Sequence, residues 1–264
     1  MITKNHITRL DEGKLLNDQL IDFKIRHLIN STKKRKIEEV FAYNSLFWPA
    51  YDHPESSGYD SVRRWTSKTK VDIFEKEMVI IPISAYIHWS LIIILNTDMI
   101  FVEESERTDD PYILSFDSLN YHNSEKHIEK LRLYLFDEYI NKICGGKLER
   151  EVEIKSFIDN IKHVNMNEHI PSQENGFDCG IYVCKFVDIM LEKCVSRTGV
   201  KINDDYIKSH FVDLSFTAKD ALIERGHMKE LVKSVEADMN NTNNNKSPTS
   251  SSSSSALVIL ESKK

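Results

Sequence analysis

Gln173-Glu174-Asn175-Gly176-Phe177-Asp178-Cys179-Gly180 is a polar, glycine-containing segment that leads into the mostly apolar run at residues 181–191. This run predicts a largely buried helix, with Cys179 at or near its N-terminus. At that position, unsatisfied N–H groups and the positive end of the helix dipole favour a thiolate over a thiol. Gly176 and Gly180 allow a sharp turn and leave room beside the sulfur for a substrate chain. The segment therefore predicts a nucleophilic cysteine, and a buried structural cysteine after an Asn-Gly turn is the alternative interpretation.

A nucleophilic cysteine needs a base and a group that orients the base. His88 opens a continuous aliphatic run that predicts a strand buried on both faces, and Asp117 closes the next such run at residues 112–117. If the two strands pair antiparallel across the polar loop 96–111, the start of the first lies beside the end of the second. We therefore expect His88 and Asp117 to meet at one sheet edge, against the Cys179 helix. Taken singly, His88 is typical of a structural histidine and Asp117 of a turn former.

These residues resemble those of the SUMO-specific (sentrin-specific) ubiquitin-like protease family, cysteine peptidases with the order His, Asp, Cys. The resemblance covers most of the chain, through Leu16-Asn17-Asp18, Gly58-Tyr59, Val62-Arg63-Arg64-Trp65-Thr66, Ile80-Ile81-Pro82-Ile83, His88-Trp89-Ser90-Leu91, Asp117-Ser118 and Gln173 to Cys179-Gly180. It implies that His88 is the general base, that Asp117 orients it and that Cys179 attacks the carbonyl carbon. It also implies that the Gln173 side-chain amide donates to the oxyanion beside the Cys179 N–H.

The resemblance implies a papain-like α+β fold, with a central mixed β-sheet flanked by helices and the catalytic cysteine at a helix N-terminus. The pattern itself predicts strands at residues 78–83, 88–95, 99–103 and 112–117. It predicts a first helix capped by Asn17, and a second that begins at Asn123 or Ser124 and stops before Gly145-Gly146. A polar stretch at 197–208 is expected to lead to a final helix at about 218–237.

By the same resemblance, the substrate is the Gly-Gly terminus of SUMO, cleaved from conjugated lysines and from SUMO precursors. Trp89 would cover a narrow slot through which only glycine passes, because glycine lacks a Cβ. A core aromatic residue is the alternative interpretation of Trp89. Leu15 stands where the family commonly has a second tryptophan, so we expect a higher KM rather than a different reaction.

Further substrate contacts are predicted with less local detail. Asp18 is expected to meet a basic patch of the modifier, or else simply to stabilise the first turn of its helix. Arg64 and Trp65 are expected to contact substrate or support the slot, although a cation beside an aromatic ring also suits a cation–π contact. Gly176 and Asp178 complete the predicted substrate-binding set.

Composition narrows the class of protein. The net charge of −6 argues against nucleic acid as the main partner. No apolar run reaches the ~18 residues of a membrane span, and residues 1–6 do not resemble a signal peptide. The four cysteines lack both zinc-ligand and disulfide-framework spacing. We expect a soluble intracellular monomer of the nucleus and/or cytoplasm that binds SUMO and SUMO-conjugated proteins, without metal, cofactor, nucleic acid or membrane.

The chain is expected to consist of a catalytic domain at residues 1–237 and a disordered Asn/Ser-rich tail at 238–264. Within the tail, the aliphatic run at 257–261 resembles a SUMO-interacting motif, a short strand that adds to a sheet edge of the modifier. A hydrophobic remnant, or a strand that docks on its own domain, is the alternative. The basic run Lys33-Lys34-Arg35-Lys36 suits either nuclear localisation or a solvated linker.

Three alternatives to a SUMO protease stay open. The same chemistry on another ubiquitin-like protein, such as the neddylation modifier, is one, although the motif at residues 62–66 favours SUMO. A SUMO-binding module without turnover is the second, and a cysteine acyltransferase with a similar triad is a more distant third. The complete His88, Asp117 and Cys179 set argues for an enzyme.

Overall fold

A five-stranded mixed sheet organises the chain. In the computed structural model, which describes residues 4–32, 38–195, 200–211 and 214–244, the strands lie side by side in chain order. They are β1 (Val40–Ala42), β2 (Met78–Ala85), β3 (His88–Leu95), β4 (Tyr112–Phe116) and β5 (Lys162–Asn165). The central pairs β2–β3 and β3–β4 are antiparallel, whereas β1–β2 and β4–β5 are parallel. The α+β fold with a mixed sheet is thus confirmed.

The central strand β3 is buried along its whole length because helices cover both sheet faces. Leu91, Ile93 and Leu95 lie in one apolar cluster, which also contains Cys179 and the helix that follows it. The two isoleucines between these residues belong to a second cluster on the opposite face. This double burial explains why β3 is a continuous aliphatic run rather than an alternating one.

The described helices surround this sheet. They are α1 (Lys4–Ile7), α2 (Asp18–Ser31), α3 (Phe47–Asp52), α4 (Tyr59–Val62), α5 (Arg64–Thr69), α6 (Ser124–Lys142), α7 (Glu151–Asp159), α8 (Cys179–Met190), α9 (Asp204–His210) and α10 (Ala218–Asn244). Two predicted caps are confirmed: Asn17 Oδ1 accepts from Leu20 N at 3.2 Å, and Asn123 Oδ1 accepts from Lys126 N at 3.1 Å. Within the described residues, no helix combines the length and apolar character that a membrane span requires.

The strand predicted at residues 99–103 is wrong. Asn96 adopts a left-handed backbone conformation with φ of 55°, which turns the chain out of β3 and into a 3-10 helix at Thr97–Met99. Ile100 is nevertheless fully buried in the second apolar cluster. The apolar residues that suggested a strand therefore fill the core beneath a turn.

The end of the chain also departs from expectation. Helix α9, which was not predicted, begins inside the polar stretch at 197–208. Asn203 caps this helix, and its Tyr206 and Ile207 side chains are buried. Helix α10 starts at the predicted residue but continues to Asn244. The predicted motif at 257–261 and the basic run at 33–36 lie outside the described residues.

Helices α2 and α8 approach each other closely at Gly180. A Cβ built on this glycine would lie 2.9 Å from Ile21 Cδ1 and 3.0 Å from Leu16 Cβ. The space predicted to serve a substrate beside Gly180 is therefore occupied by side chains from the start of α2. The contact fixes the residues before α2 relative to Cys179, the first residue of α8.

Candidate active site

His88 and Asp117 meet at the sheet edge, as their strand positions predict. The antiparallel register of β3 and β4 pairs Leu91 with Phe116, which brings the start of one strand beside the end of the other. His88 Nε2 lies 2.6 Å from Asp117 Oδ1, and both side chains are buried.

The Asp117 carboxylate is held as an anion by several donors. Besides His88, it accepts backbone N–H groups from Leu119 at 3.0 Å, Tyr121 at 2.9 Å and His122 at 2.7 Å. Burial raises the pKa of Asp117, but the hydrogen bonds from His88 and the His122 N–H outweigh it and leave the pKa below its ordinary value. A carboxylate bound in this way is a fixed negative charge beside the imidazole.

Cys179 acts electrostatically on the same imidazole. Burial lowers the pKa of His88, but the hydrogen bond to Asp117 and the interaction with Cys179 overcome it and raise the pKa to about 9. The imidazole is therefore cationic near neutral pH. Cys179 is buried at the first position of α8, where backbone N–H groups lack intrahelical acceptors. The carboxylate and the thiol thus both act on one imidazole.

The segment before Cys179 is braced by its own side chains. Asn175 Oδ1 accepts from the N–H groups of Phe177 and Asp178, both at 3.0 Å. Gln173 Oε1 accepts from Ser118 Oγ at 2.9 Å, and Gln173 Nε2 donates to the Asn175 carbonyl oxygen. Gln173 thus connects the residue after Asp117 with the loop that leads to the cysteine.

Asp178 lies in a buried ion pair with Arg225 of α10. Arg225 Nε donates to Asp178 Oδ1 at 3.0 Å, and Asn175 Nδ2 donates to Asp178 Oδ2 at 2.8 Å. Arg225 also donates to the Arg9 and Asp11 carbonyl oxygens. This geometry favours a structural role for Asp178 over the predicted substrate contact. Arg225 was missed by sequence reasoning, because one arginine in a polar helix carries no local signal.

Trp89 and Leu15 lie on the α2 side of His88. The Trp89 ring is buried in the same apolar cluster as Cys179, and its Nε1 donates to the Leu16 carbonyl oxygen at 3.2 Å. Leu15 is half-buried against this cluster. Asp18 is the first residue of α2, in the first turn where a carboxylate suits the helix dipole. Gly176 has open space around it, with no atom within 4 Å of a Cβ built there.

Arg64 and Trp65 stand apart from these residues. Trp65 packs against Phe47, with ring centroids 5.7 Å apart, in the cluster on the opposite sheet face from Cys179. Arg64 is exposed at the start of α5. The structure therefore places this pair away from the His88, Asp117 and Cys179 chain.

His122 is a buried neighbour of the pair that sequence reasoning missed. Its Nδ1 lies 2.6 Å from Ser90 Oγ, its Nε2 lies 3.1 Å from the Ala85 carbonyl oxygen, and burial lowers its pKa. A carbonyl oxygen can only accept, so Nε2 carries a proton. The lowered pKa keeps the ring neutral near neutral pH. A lone histidine in a turn gives no sequence pattern that would reveal this role.

His88, Asp117 and His122 are close enough to hold a metal ion, with ligand atoms within 4.8 Å of one another. Both ring nitrogens of His122 already have protein partners, and His88 Nε2 is in hydrogen-bond contact with Asp117. Hydrogen bonds therefore account for this donor set. The expectation of no metal stays a prediction.

Comparison with known proteins identifies the family. Residues 14–246 match the model described as the Ulp1 protease family, C-terminal catalytic domain. The chain belongs to this family.

Relatives and a solved structure agree with that assignment. Ubiquitin-like-specific protease 2 of Schizosaccharomyces pombe is 30% identical in an alignment 224 residues long that covers 72% of this chain and 33% of that protein. Sentrin-specific protease 2 of Mus musculus is 31% identical over 188 residues, 71% of this chain and 27% of that protein. The chain thus spans about a third or less of the length of these relatives. A structure of the SUMO protease Ulp1, with its catalytic cysteine oxidised to a sulfenic acid, is 25% identical with a TM-score of 0.59 and covers 88% of this chain and 83% of its own.

Proposed function

We propose that this chain is a cysteine peptidase that removes SUMO from conjugated lysines and processes SUMO precursors, cleaving after the C-terminal Gly-Gly. The proposal rests on the hydrogen bond between Asp117 and His88, with Cys179 at the start of α8 acting on the same imidazole. The names of the relatives, sentrin-specific protease and SUMO protease Ulp1, support the choice of modifier.

In the proposed reaction, the Cys179 thiolate attacks the carbonyl carbon of the last glycine, and the carbonyl electron pair moves onto the oxygen. As the C–N bond breaks, His88 gives its proton to the leaving lysine amine, and a thioester to Cys179 remains. Water then attacks the thioester, His88 takes a proton from that water, and the thiolate leaves. General acid–base help of this kind contributes about 10²- to 10⁴-fold in rate.

The oxyanion is proposed to be bound by the Cys179 N–H and the Gln173 amide. Ser118 fixes the orientation of this amide by donating to Gln173 Oε1. An amide group has two N–H donors. The second contact of Gln173 Nε2, with Asn175 Oδ1, is long at 3.4 Å. An oxyanion could therefore replace Asn175 Oδ1 as the acceptor of this N–H group.

The Gly-Gly segment is proposed to pass between Trp89 and Leu15, with Gly176 leaving its side of the passage open. Asp18, in the first turn of α2, is proposed to meet a basic patch of the modifier. Arg64 lies on a surface away from His88, and its contact with the substrate stays a prediction. We propose that Trp65 supports this surface by packing against Phe47.

We propose SUMO and SUMO-conjugated proteins as the partners, and the nucleus and/or cytoplasm as the location. A reducing compartment suits the thiols of Cys144, Cys179 and Cys184, and burial raises the pKa of Cys184 to about 12. The proposals of a monomer that binds neither nucleic acid nor membrane rest on composition alone.

The deciding experiment compares release of a fluorophore from the C-termini of SUMO, ubiquitin and the neddylation modifier. We expect release from SUMO, none with Cys179→Ser, and normal release with Cys144→Ser, which changes another free and more accessible thiol. Turnover of a different modifier alone would keep the chemistry and reject SUMO. Binding of SUMO without any turnover would leave a binding module instead of an enzyme.

A further inference from the structure

Four large apolar side chains stand in solvent around His88. Tyr86 and Ile87 are 85% and 84% exposed, Tyr121 is 64% exposed and Leu119 is 40% exposed. Ile87 precedes His88 in the chain, and the Tyr121 ring lies 5.9 Å from the His88 ring. We call these four residues the rim patch. Clustered exposed apolar side chains on a protein surface mark interaction sites.

The turn that carries Tyr86 and Ile87 is strained. These two residues alone connect β2 to β3, since Ala85 pairs with His88, and their φ angles are 51° and 63°. A two-residue hairpin with two positive φ angles strongly prefers Asn-Gly, and a β-branched residue at positive φ is rare. The chain therefore holds two bulky side chains in solvent at a conformational cost, and strain of this kind clusters at functional sites.

The strained turn is also held in place. The buried His122 ring joins its two strands, because Nε2 reaches the Ala85 carbonyl oxygen and Nδ1 reaches Ser90 Oγ. The His122 backbone N–H binds Asp117, in the same loop that presents Leu119 and Tyr121. Both halves of the rim patch are thus fixed relative to one another, which lowers the entropy lost on binding.

The position of the rim patch indicates which part of a substrate reaches it. Trp89 points to the α2 face, where the proposed Gly-Gly passage lies, and side chains alternate along a strand. A substrate that enters beside Trp89 and crosses His88 leaves over Ile87 and Tyr121. In the proposed reaction His88 protonates the leaving amine, so the polypeptide attached to that amine would lie over the rim patch.

We propose that the rim patch binds apolar residues of the acceptor polypeptide next to the modified lysine, and so selects among conjugates. This inference rests on the proposed function. The occupant is the leaving-group chain rather than the modifier, because the patch continues from the side of His88 that faces away from Trp89.

The test compares two substrates of one modifier: SUMO with a small C-terminal fluorophore, and SUMO linked to the lysine of a peptide with apolar neighbours. The variant Tyr86→Asn/Ile87→Gly removes the side chains and supplies the turn sequence that the backbone prefers. We expect unchanged kcat/KM for the fluorophore substrate and about a tenfold loss for the peptide conjugate, through KM. Val152→Asn, which changes a side chain 85% exposed on α7, is the matched control and should alter neither.

Each other outcome counts against the proposal. Equal losses of kcat/KM on both substrates would mean that the rim patch contacts the modifier or acts in catalysis, and not on the acceptor polypeptide. Unchanged cleavage of the peptide conjugate, or the same loss with acidic residues beside the lysine, would show that the patch selects nothing. An unaltered chain that cleaves neither substrate would reject the proposed function itself, and this inference with it. Thermal unfolding of the variant verifies that the hairpin still folds.

Discussion

A single proton on His88 connects the geometry of the site to its pH dependence. Burial works against the charged imidazole, yet Asp117 and Cys179 together raise its pKa to about 9. An imidazolium beside the nucleophile supplies an acid for the leaving group. We therefore expect activity to persist well above neutral pH.

The rate should fall as pH rises through about 9, because His88 then loses the proton that it gives to the amine. Asp117→Asn removes a large contribution to that pKa, so the alkaline limb of kcat/KM should move to lower pH and the rate should fall about 10²- to 10⁴-fold. The measurement is the pH profile of fluorophore release from SUMO. An unmoved alkaline limb in a folded Asp117→Asn variant would contradict this role.

The free energy of unfolding should also depend on the protonation of His88, and it should fall as the imidazole loses its proton. The folded-state pKa of about 9 exceeds the ordinary 6.5, so the His88 charge stabilises the fold fully below pH 6.5. That contribution is lost as pH rises through about 9. Urea unfolding of the parent chain and of His88→Gln at several pH values separates it from other titrations.

At the scale of elements, the contact of α2 with α8 positions the nucleophile. Gly180→Ala would put a methyl group 2.9 Å from Ile21 Cδ1 and 3.0 Å from Leu16 Cβ. We expect the free energy of unfolding to fall by about 1–3 kcal/mol. KM should rise as well, because Leu15 and Leu16 shift relative to Cys179.

The matched control for this change is Gly226→Ala, within α10, where a Cβ meets no atom within 4 Å. Alanine there should raise the free energy of unfolding by about 0.4–1 kcal/mol, since it restricts the unfolded chain. Urea denaturation of both variants makes the comparison. Similar effects of the two substitutions would mean that close helix packing at Gly180 is not the constraint.

The hydrophobic pattern of the sequence predicted the strands that consist of continuous apolar segments. β3 and β4 were predictable because each is a mostly apolar run without regular alternation. Antiparallel pairing of the two strands then predicted the contact between His88 and Asp117. Arg225–Asp178 and His122–Ser90 were not predictable, because their members are 47 and 32 positions apart and only packing brings them together. The strand predicted at 99–103 failed because burial of Ile100 does not require strand pairing.

At the scale of the whole molecule, Arg225 joins three distant parts of the chain. It binds Asp178 beside the nucleophile and two carbonyl oxygens of the N-terminal segment, and nearby Lys229 pairs with Asp11. The Arg225 and Asp178 side chains are only 2% and 7% exposed. Removing one partner of such a buried ion pair is strongly destabilising, because it leaves the other charge buried without a counter-charge.

Arg225→Met should lower the free energy of unfolding by about 3–5 kcal/mol, because it leaves a buried carboxylate without its cation. The double variant Arg225→Met/Asp178→Asn should recover a large part of this loss, since no charge then remains buried. Urea unfolding of the single and double variants decides the matter. Losses that simply add would mean that the two side chains act independently.

The Arg225 contacts also order events during synthesis. Chains emerge from the ribosome with the N-terminal part first, so Cys179 and its preceding loop leave the exit tunnel well before α10 supplies the arginine. The loop that shapes the nucleophile therefore lacks its buried counter-charge until translation has passed residue 225. A partly made chain carries the thiol without the finished surroundings, and the reactive centre matures only as the last described helix docks.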